Sequence, residues 1–267
     1  NAGNSIGETD GSATGSVGIV GLVGVGDLGV TAGTTLDLIN PSGTLAIQGA
    51  LTAGGALGLQ GTTVSVHDPV VAGGALTISA TTAIDILTTA AGGSGNGGLT
   101  APTLSLTAPT TNLYGTLTPG AAGAVGTATV NGVLNLQNGS VLNIGFNGNS
   151  HDTITATGGF NAAPGATVSA QASTAPTSGA YTIVSGPHSG TVPTLTTNIT
   201  SATLAWGSLV LTVPAPAWLP GGGGAAGANG PSALDADLYG QPAWRTLGDW
   251  DAQAQGATLD ETACRAL

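Results

Sequence analysis

Two adjacent His-Asp pairs, His67-Asp68 and His151-Asp152, together with the lone His188, come nearest in this chain to acid–base chemistry. Nucleophilic catalysis needs a base within hydrogen-bond reach of its nucleophile and a third group to orient that base. Neighbouring residues on a strand point to opposite faces, so neither pair is a preformed dyad. Both read as turn residues, with the Asp152 side chain placed to cap a turn. Glycan cleavage would need a carboxylate pair at fixed separation, or clustered carboxylates beside Lys or Arg. From residue 27 to residue 213 the carboxylates are Asp27, Asp37, Asp68, Asp85 and Asp152, and no Lys or Arg occurs before Arg245. Asp37 and Asp85 sit at the middle of apolar triplets, on an outer face, but at different points of the pattern, so they do not stack. The expectation is a chain that is not an enzyme, with no catalytic residue.

Metal and lattice chemistry are as poorly supported. Gly92-Gly-Ser-Gly-Asn96-Gly-Gly-Leu99 imitates a calcium nonapeptide, yet Gly97 stands where a carboxylate is needed. Asp249-x-Asp251-x-Gln253 with Asp260 imitates a helix-loop calcium site, but Ala254 replaces the turn glycine and the bidentate Glu is missing. That segment reads as a solvated acidic face, and no cofactor or metal is expected. Asn138-Gly-Ser140 and Asn198-Ile-Thr200 have the form of glycosylation acceptors, which a chain rich in Asn, Ser and Thr produces by chance. The pairs Thr62-Thr63, Thr81-Thr82 and Thr110-Thr111 recur at corners rather than in a T-x-T row, which counts against a face matched to ice.

The elements that carry these residues are set by a repeat. Leu51-Thr-Ala-Gly-Gly-Ala-Leu57-Gly-Leu59 recurs nineteen residues later as Val70-Val-Ala-Gly-Gly-Ala-Leu76-Thr-Ile78, and each copy is followed by a second triplet, Val64-Ser-Val66 and Ile84-Asp-Ile86. The beat continues in Leu36-Asp-Leu38, Leu45-Ala-Ile47, Leu104-Ser-Leu106 and, with more varied lengths, through Tyr181-Thr-Ile183, Leu204-Ala-Trp206 and Leu209 to Val213. Apolar-x-apolar triplets between Gly, Thr, Asn and Pro predict short half-buried strands separated by tight corners, with a period that drifts by one or two residues. Leu36, Leu38, Leu57, Leu59, Leu76, Ile78, Leu104 and Leu106 should point inward.

The fold class expected is all-β, a right-handed parallel β-helix with a non-solenoid C-terminal tail. Residues 1–27 form an incomplete opening coil and 28–213 the β-helix. The Gly-rich stretch 91–98 is a loop within it. Residues 214–230 are a Pro/Gly linker and 231–267 a separate tail. At ~4.8 Å per stacked strand and ~20 residues per coil, 28–213 would make about nine coils. Such a stack has an unpaired edge at each end, and with no obvious cap in the sequence it should belong to a longer stack.

Composition agrees with a narrow stacked interior. Among 267 residues there are 47 Gly, no Met and two Phe, which leaves Leu, Val, Ile and Ala to fill the core. A net charge of −11 excludes binding to nucleic acid and attraction to anionic lipid. No apolar run approaches the ~20 residues of a membrane span. The chain opens at Asn1 rather than Met and reads as a processed or excised piece. Its single Cys264 cannot close an internal disulfide.

Residues 131–213 resemble the C-terminal end of the passenger β-helix of bacterial autotransporters and of filamentous-haemagglutinin-like exoproteins of two-partner secretion. The stretches that carry the likeness are Val141-Leu-Asn-Ile144, Asn149-Ser-His-Asp152-Thr-Ile-Thr-Ala-Thr-Gly158, Gly179-Ala-Tyr181-Thr-Ile-Val184, Ser189-Gly190-Thr191 and the closing Leu204-Ala-Trp206-Gly-Ser-Leu-Val-Leu-Thr-Val213. No series of long alternating strands follows residue 213, so the membrane barrel of a one-chain autotransporter is missing from the pattern. The likeness implies an extracellular stalk on the bacterial outer surface, the distal segment of an adhesin whose glycan or protein ligand is bound by parts outside this chain. The alternatives are a subunit of a self-stacking extracellular filament and a β-helical carbohydrate-active enzyme. Tyr239, Trp244 and Trp250, in a chain nearly devoid of aromatics, stand near Arg245 and Cys264 and make the tail a docking element. Its implied partner is an outer-membrane transporter or a neighbouring subunit.

Overall fold

The computed structural model describes residues 11–21, 24–25, 29–88, 97–120, 124–206 and 208–215. Contacts divide the chain into two units, Asn1–Ala215 and Pro216–Leu267, and all the described residues fall in the first. They are all-β, with no helix, and build a ten-stranded and a fourteen-stranded sheet.

The chain alternates between the sheets. Leu51–Ala53 lies in the first, Leu57–Val66 in the second, Pro69–Ala72 in the first and Ala75–Ile86 in the second. Each strand pairs in parallel with its equivalent on the next pass, Leu51 with Val70 and Leu57 with Leu76. Because successive side chains alternate faces, this register stacks like on like. Leu36, Leu57, Leu76 and Leu104 form one inward column and Leu38, Leu59, Ile78 and Leu106 the next. All eight inward assignments hold, at 0–2% exposure. One apolar cluster draws on both sheets, so the core lies between them.

Three expectations are corrected. The paired triplets are not separate short strands, since Leu57–Val66 and Ala75–Ile86 each run unbroken through the bend, with register shifts near it. The bend needs a small residue: a Cβ at Gly61 would stand 2.7 Å from the Thr63 carbonyl oxygen. The period also drifts far more than one or two residues. Leu76 pairs with Leu104 and Ile154 with Val184, because the connections between strands differ in length, as from Ile86 to Gly98, and the antiparallel hairpin Val141–Asn147/Ser150–His151 is inserted between strands at little cost in closure entropy. Within the expected loop 91–98, Gly98 opens the strand Gly98–Ala101.

The third correction concerns the C-terminal end. Leu209–Val213 does not extend the parallel repeat; it pairs antiparallel with Gly179–Ser185, and Thr203–Ala205 pairs antiparallel with it in turn. Parallel neighbours need a long crossover, and the connection from Ala205 to Leu209 is far too short for one. Ser208, at φ 62°, lies in that connection. This hairpin is the last part of the fourteen-stranded sheet, with Thr203–Ala205 as its edge strand. Three aromatic rings meet near this end. His188 follows Phe160 in register, and the Trp206 ring stacks on His188 with centroids 4.7 Å apart.

Candidate functional site

The strands position four groups of polar side chains, and the first is built around His151 and Asp152. The chain doubles back in a hairpin after Phe146, which returns His151 opposite Phe146. The two rings stack at 5.2 Å and Tyr181 meets both edge-on. His151 Nε2 lies 3.0 Å from the Thr182 carbonyl oxygen, and the Tyr181 hydroxyl lies within hydrogen-bond distance of two acceptors, the Thr177 carbonyl at 2.8 Å and Asn149 Oδ1 at 3.0 Å. Asp152 faces elsewhere: its Oδ1 accepts the Gly126 N–H at 2.6 Å and its Oδ2 the Gly145 N–H at 2.7 Å. Burial raises its carboxyl above the ordinary value, against the lowering effect of those two N–H bonds and of His151. The pair is a set of ties between neighbouring strands rather than a base and its orienting acid. Asp152 caps backbone as expected, although one of its partners, Gly126, lies in a preceding connection.

Beside Asp152 a cleft of about 370 Å³ opens on the outer side of the first sheet, lined by Thr118, Val125, Asn143, Asn147 and Gln171 among others. Its lining is neutral amide, hydroxyl and apolar groups, Phe146 the largest of them, and its one carboxylate has both oxygens engaged. His67 and Asp68 are both buried at the junction after Val66.

The second group is a ladder on the outer face of the second sheet. Asn112 Nδ2 donates to Asp85 Oδ1 at 2.8 Å, Asn135 Nδ2 to Asn112 Oδ1 at 2.9 Å, and Asn161 Nδ2 to Asn135 Oδ1 at 2.9 Å, with the Ser189 hydroxyl donating to Asn161. Every amide dipole in the row points its donor toward the Asp85 carboxylate. Asp37 stands in a different column, opposite Gly58, so Asp37 and Asp85 do not stack, as their places in the triplets imply.

The third group corrects the reading of threonine. Thr62, Thr63, Thr81 and Thr82 do fall near bends, but T-x-T rows exist elsewhere. Thr103-Leu-Ser105-Leu-Thr107, Thr127-Ala-Thr129-Val-Asn131 and Thr153-Ile-Thr155-Ala-Thr157 lie side by side in one register, with Thr77 and Ser79 beside the first. The Leu, Ile, Val and Ala residues between are buried, so the hydroxyls project outward. Strict alternation makes these rows legible in the sequence; the eye is drawn instead to Thr-Thr doublets. The doublet Thr110-Thr111 behaves differently, because Thr111 is wholly buried.

The fourth group concerns the glycosylation-type asparagines. Asn198 is committed to backbone, accepting the Ala172 N–H at 2.8 Å and donating to the Ala172 carbonyl at 3.0 Å. Asn138 is exposed beside the turn at Gly139.

Tyr239, Trp244, Arg245, Trp250 and Cys264, expected to form a docking element, the acidic segment 249–260 and the carboxylate Asp27 lie outside the described residues. Among the described residues no group of three or more His, Cys, Asp or Glu side chains is placed to hold a metal ion, and no helix is long and apolar enough to cross a membrane. Compared with known protein families, with curated proteins and with solved structures, the chain matches none.

Proposed function

We propose that residues 28–213 form a right-handed parallel β-helix that serves as the distal stalk segment of a secreted bacterial surface adhesin, with a mechanical role and no catalysis. One observation carries this reading: inward aliphatic residues stack on aliphatic residues pass after pass, while in the cleft beside Asp152 that carboxylate is tied to backbone. A chain alternating between two parallel sheets and pairing each strand with its next equivalent is what a β-helix requires. Neighbour-to-neighbour pairing transmits tension along such a stack. The antiparallel hairpin at Leu209–Val213 favours a stalk that ends there over a subunit that stacks without limit. The tail, through Tyr239, Trp244, Arg245, Trp250 and Cys264, docks on an outer-membrane transporter and retains the stalk.

The test is fractionation of a producing bacterium with external proteinase K, which is needed because trypsin has no site before Arg245. The stalk reading expects the chain on the cell surface, and expects Trp244→Ala, Trp250→Ala or Cys264→Ser to shift it to the medium. A chain confined to the cytosol contradicts the proposal, and unchanged retention in all three variants removes the docking role.

A further inference from the structure

The hydroxyl face of the second sheet, which none of the described residues covers, goes beyond a stalk, and the geometry points to an ice-binding surface. Three adjacent strands present Thr103, Ser105 and Thr107; Thr127, Thr129 and Asn131; and Thr153, Thr155 and Thr157, in register and outward. Parallel strands repeat every ~4.8 Å across the sheet, and outward residues repeat every ~6.6 Å along each strand. The hydroxyls therefore sit on a rectangular net. Its repeats are of the same order as those of oxygens on a prism face of hexagonal ice.

The chemistry of the net selects the occupant. None of these positions is charged, so no ionic partner is complemented, and none is aromatic, so no sugar ring has a face to stack on. Thr is β-branched and held in few rotamers, which fixes both its hydroxyl and its methyl in place before anything binds. Methyls that exclude disordered water beside hydroxyls that anchor ordered water suit a solid whose surface is itself a hydrogen-bonded water net. Five of the eight hydroxyls are available to it. Thr103, Ser105, Thr127, Thr129 and Thr153 enter none of the side-chain hydrogen bonds among the described residues, whereas Thr107 accepts from Asn131 at 3.2 Å, Thr155 accepts from Ser185 at 3.2 Å and Thr157 donates to the Val130 carbonyl at 3.3 Å.

The experiment is partition of the full chain into slowly growing ice, alongside an inert control protein and microcrystalline cellulose. The expected result is enrichment in ice and none on cellulose. Thr129→Tyr, at the centre of the net, and Thr155→Tyr, on the next strand, should each lower the ice-bound fraction at least tenfold with circular dichroism unchanged. Thr52→Tyr, exposed on the other sheet, should bind like the parent; a variant that fails to fold is set aside in favour of the other. Exclusion of the parent chain from ice overturns the inference, as does full binding by a folded net variant. Binding to cellulose alone, or burial of this face in a dimer that ice does not compete with, overturns it equally.

Discussion

Thr111 stands in register with Ile84, in an inward column of the second sheet, and its Oγ1 is wholly buried with no hydrogen-bond partner among the described residues. On its other side Thr111 pairs with Leu134, so the hydroxyl is held between apolar neighbours. An unpartnered buried hydroxyl costs about 1–3 kcal/mol. Thr111→Val keeps the shape and removes that cost. The variant is expected to gain about 1 kcal/mol, read as a higher Tm by circular dichroism; an unchanged or lower Tm would place a partner on the hydroxyl.

Leu57 lies in register between Leu36 and Leu76 and is 1% exposed. Leu57→Asp loses the burial of a Leu and places an unpaired charge in the column, together several kcal/mol. Denaturant titration should show a large fall in midpoint. A melt like the parent's would mean that Leu57 is not in the core.

The amide ladder predicts a charge-specific effect. Asn112→Ala removes the donor to Asp85 and the acceptor for Asn135, at about 1 kcal/mol net per bond. Asn112→Asp also sets two carboxylates on adjacent rungs, so it should be the more destabilising at neutral pH and recover on acidification as one carboxyl protonates. Equal stability of the two variants at every pH would remove the ladder from the account.

Asp152 predicts the opposite slope to an ordinary paired carboxylate. Burial holds its folded-state pKa above the ordinary 3.8. Both states are protonated below the unfolded value, and the stability this group contributes is lost as pH rises from there through the folded value. Asp152→Asn turns an amide N–H₂ toward one of two backbone N–H groups, at about 1–3 kcal/mol, and removes the titration. The stability difference between parent and variant should therefore shrink as pH rises above 3.8 and then level off. A difference that widens with pH contradicts the assignment.

Strand identity and face were legible because alternation of apolar residues sets both, as Leu57, Leu59, Leu76 and Ile78 illustrate. Which residues stack across strands was less so. The interval between equivalents depends on loop length, which burial does not constrain, so the column Asp85, Asn112, Asn135, Asn161 could not be read from a fixed period. The hydroxyl rows were present as strict alternation but became a net only through that same cross-strand register. The antiparallel turn of Leu209–Val213 was hidden for another reason: alternation is the same in both directions, and only the short link from Ala205 betrays it.

The stacked register itself is tested most directly by spin-label distances along one outward column, in a Cys264→Ser background that leaves no native thiol. Asp37, Gly58, Thr77, Ser105, Thr129 and Thr155 succeed one another in parallel register. At ~4.8 Å per strand, the backbone separation from position 37 should be about 19 Å to position 129 and about 24 Å to position 155, each with a narrow distribution. Labels on these pairs that give that increment support the parallel stack. Broad distributions, or distances that do not grow with each added strand, contradict it.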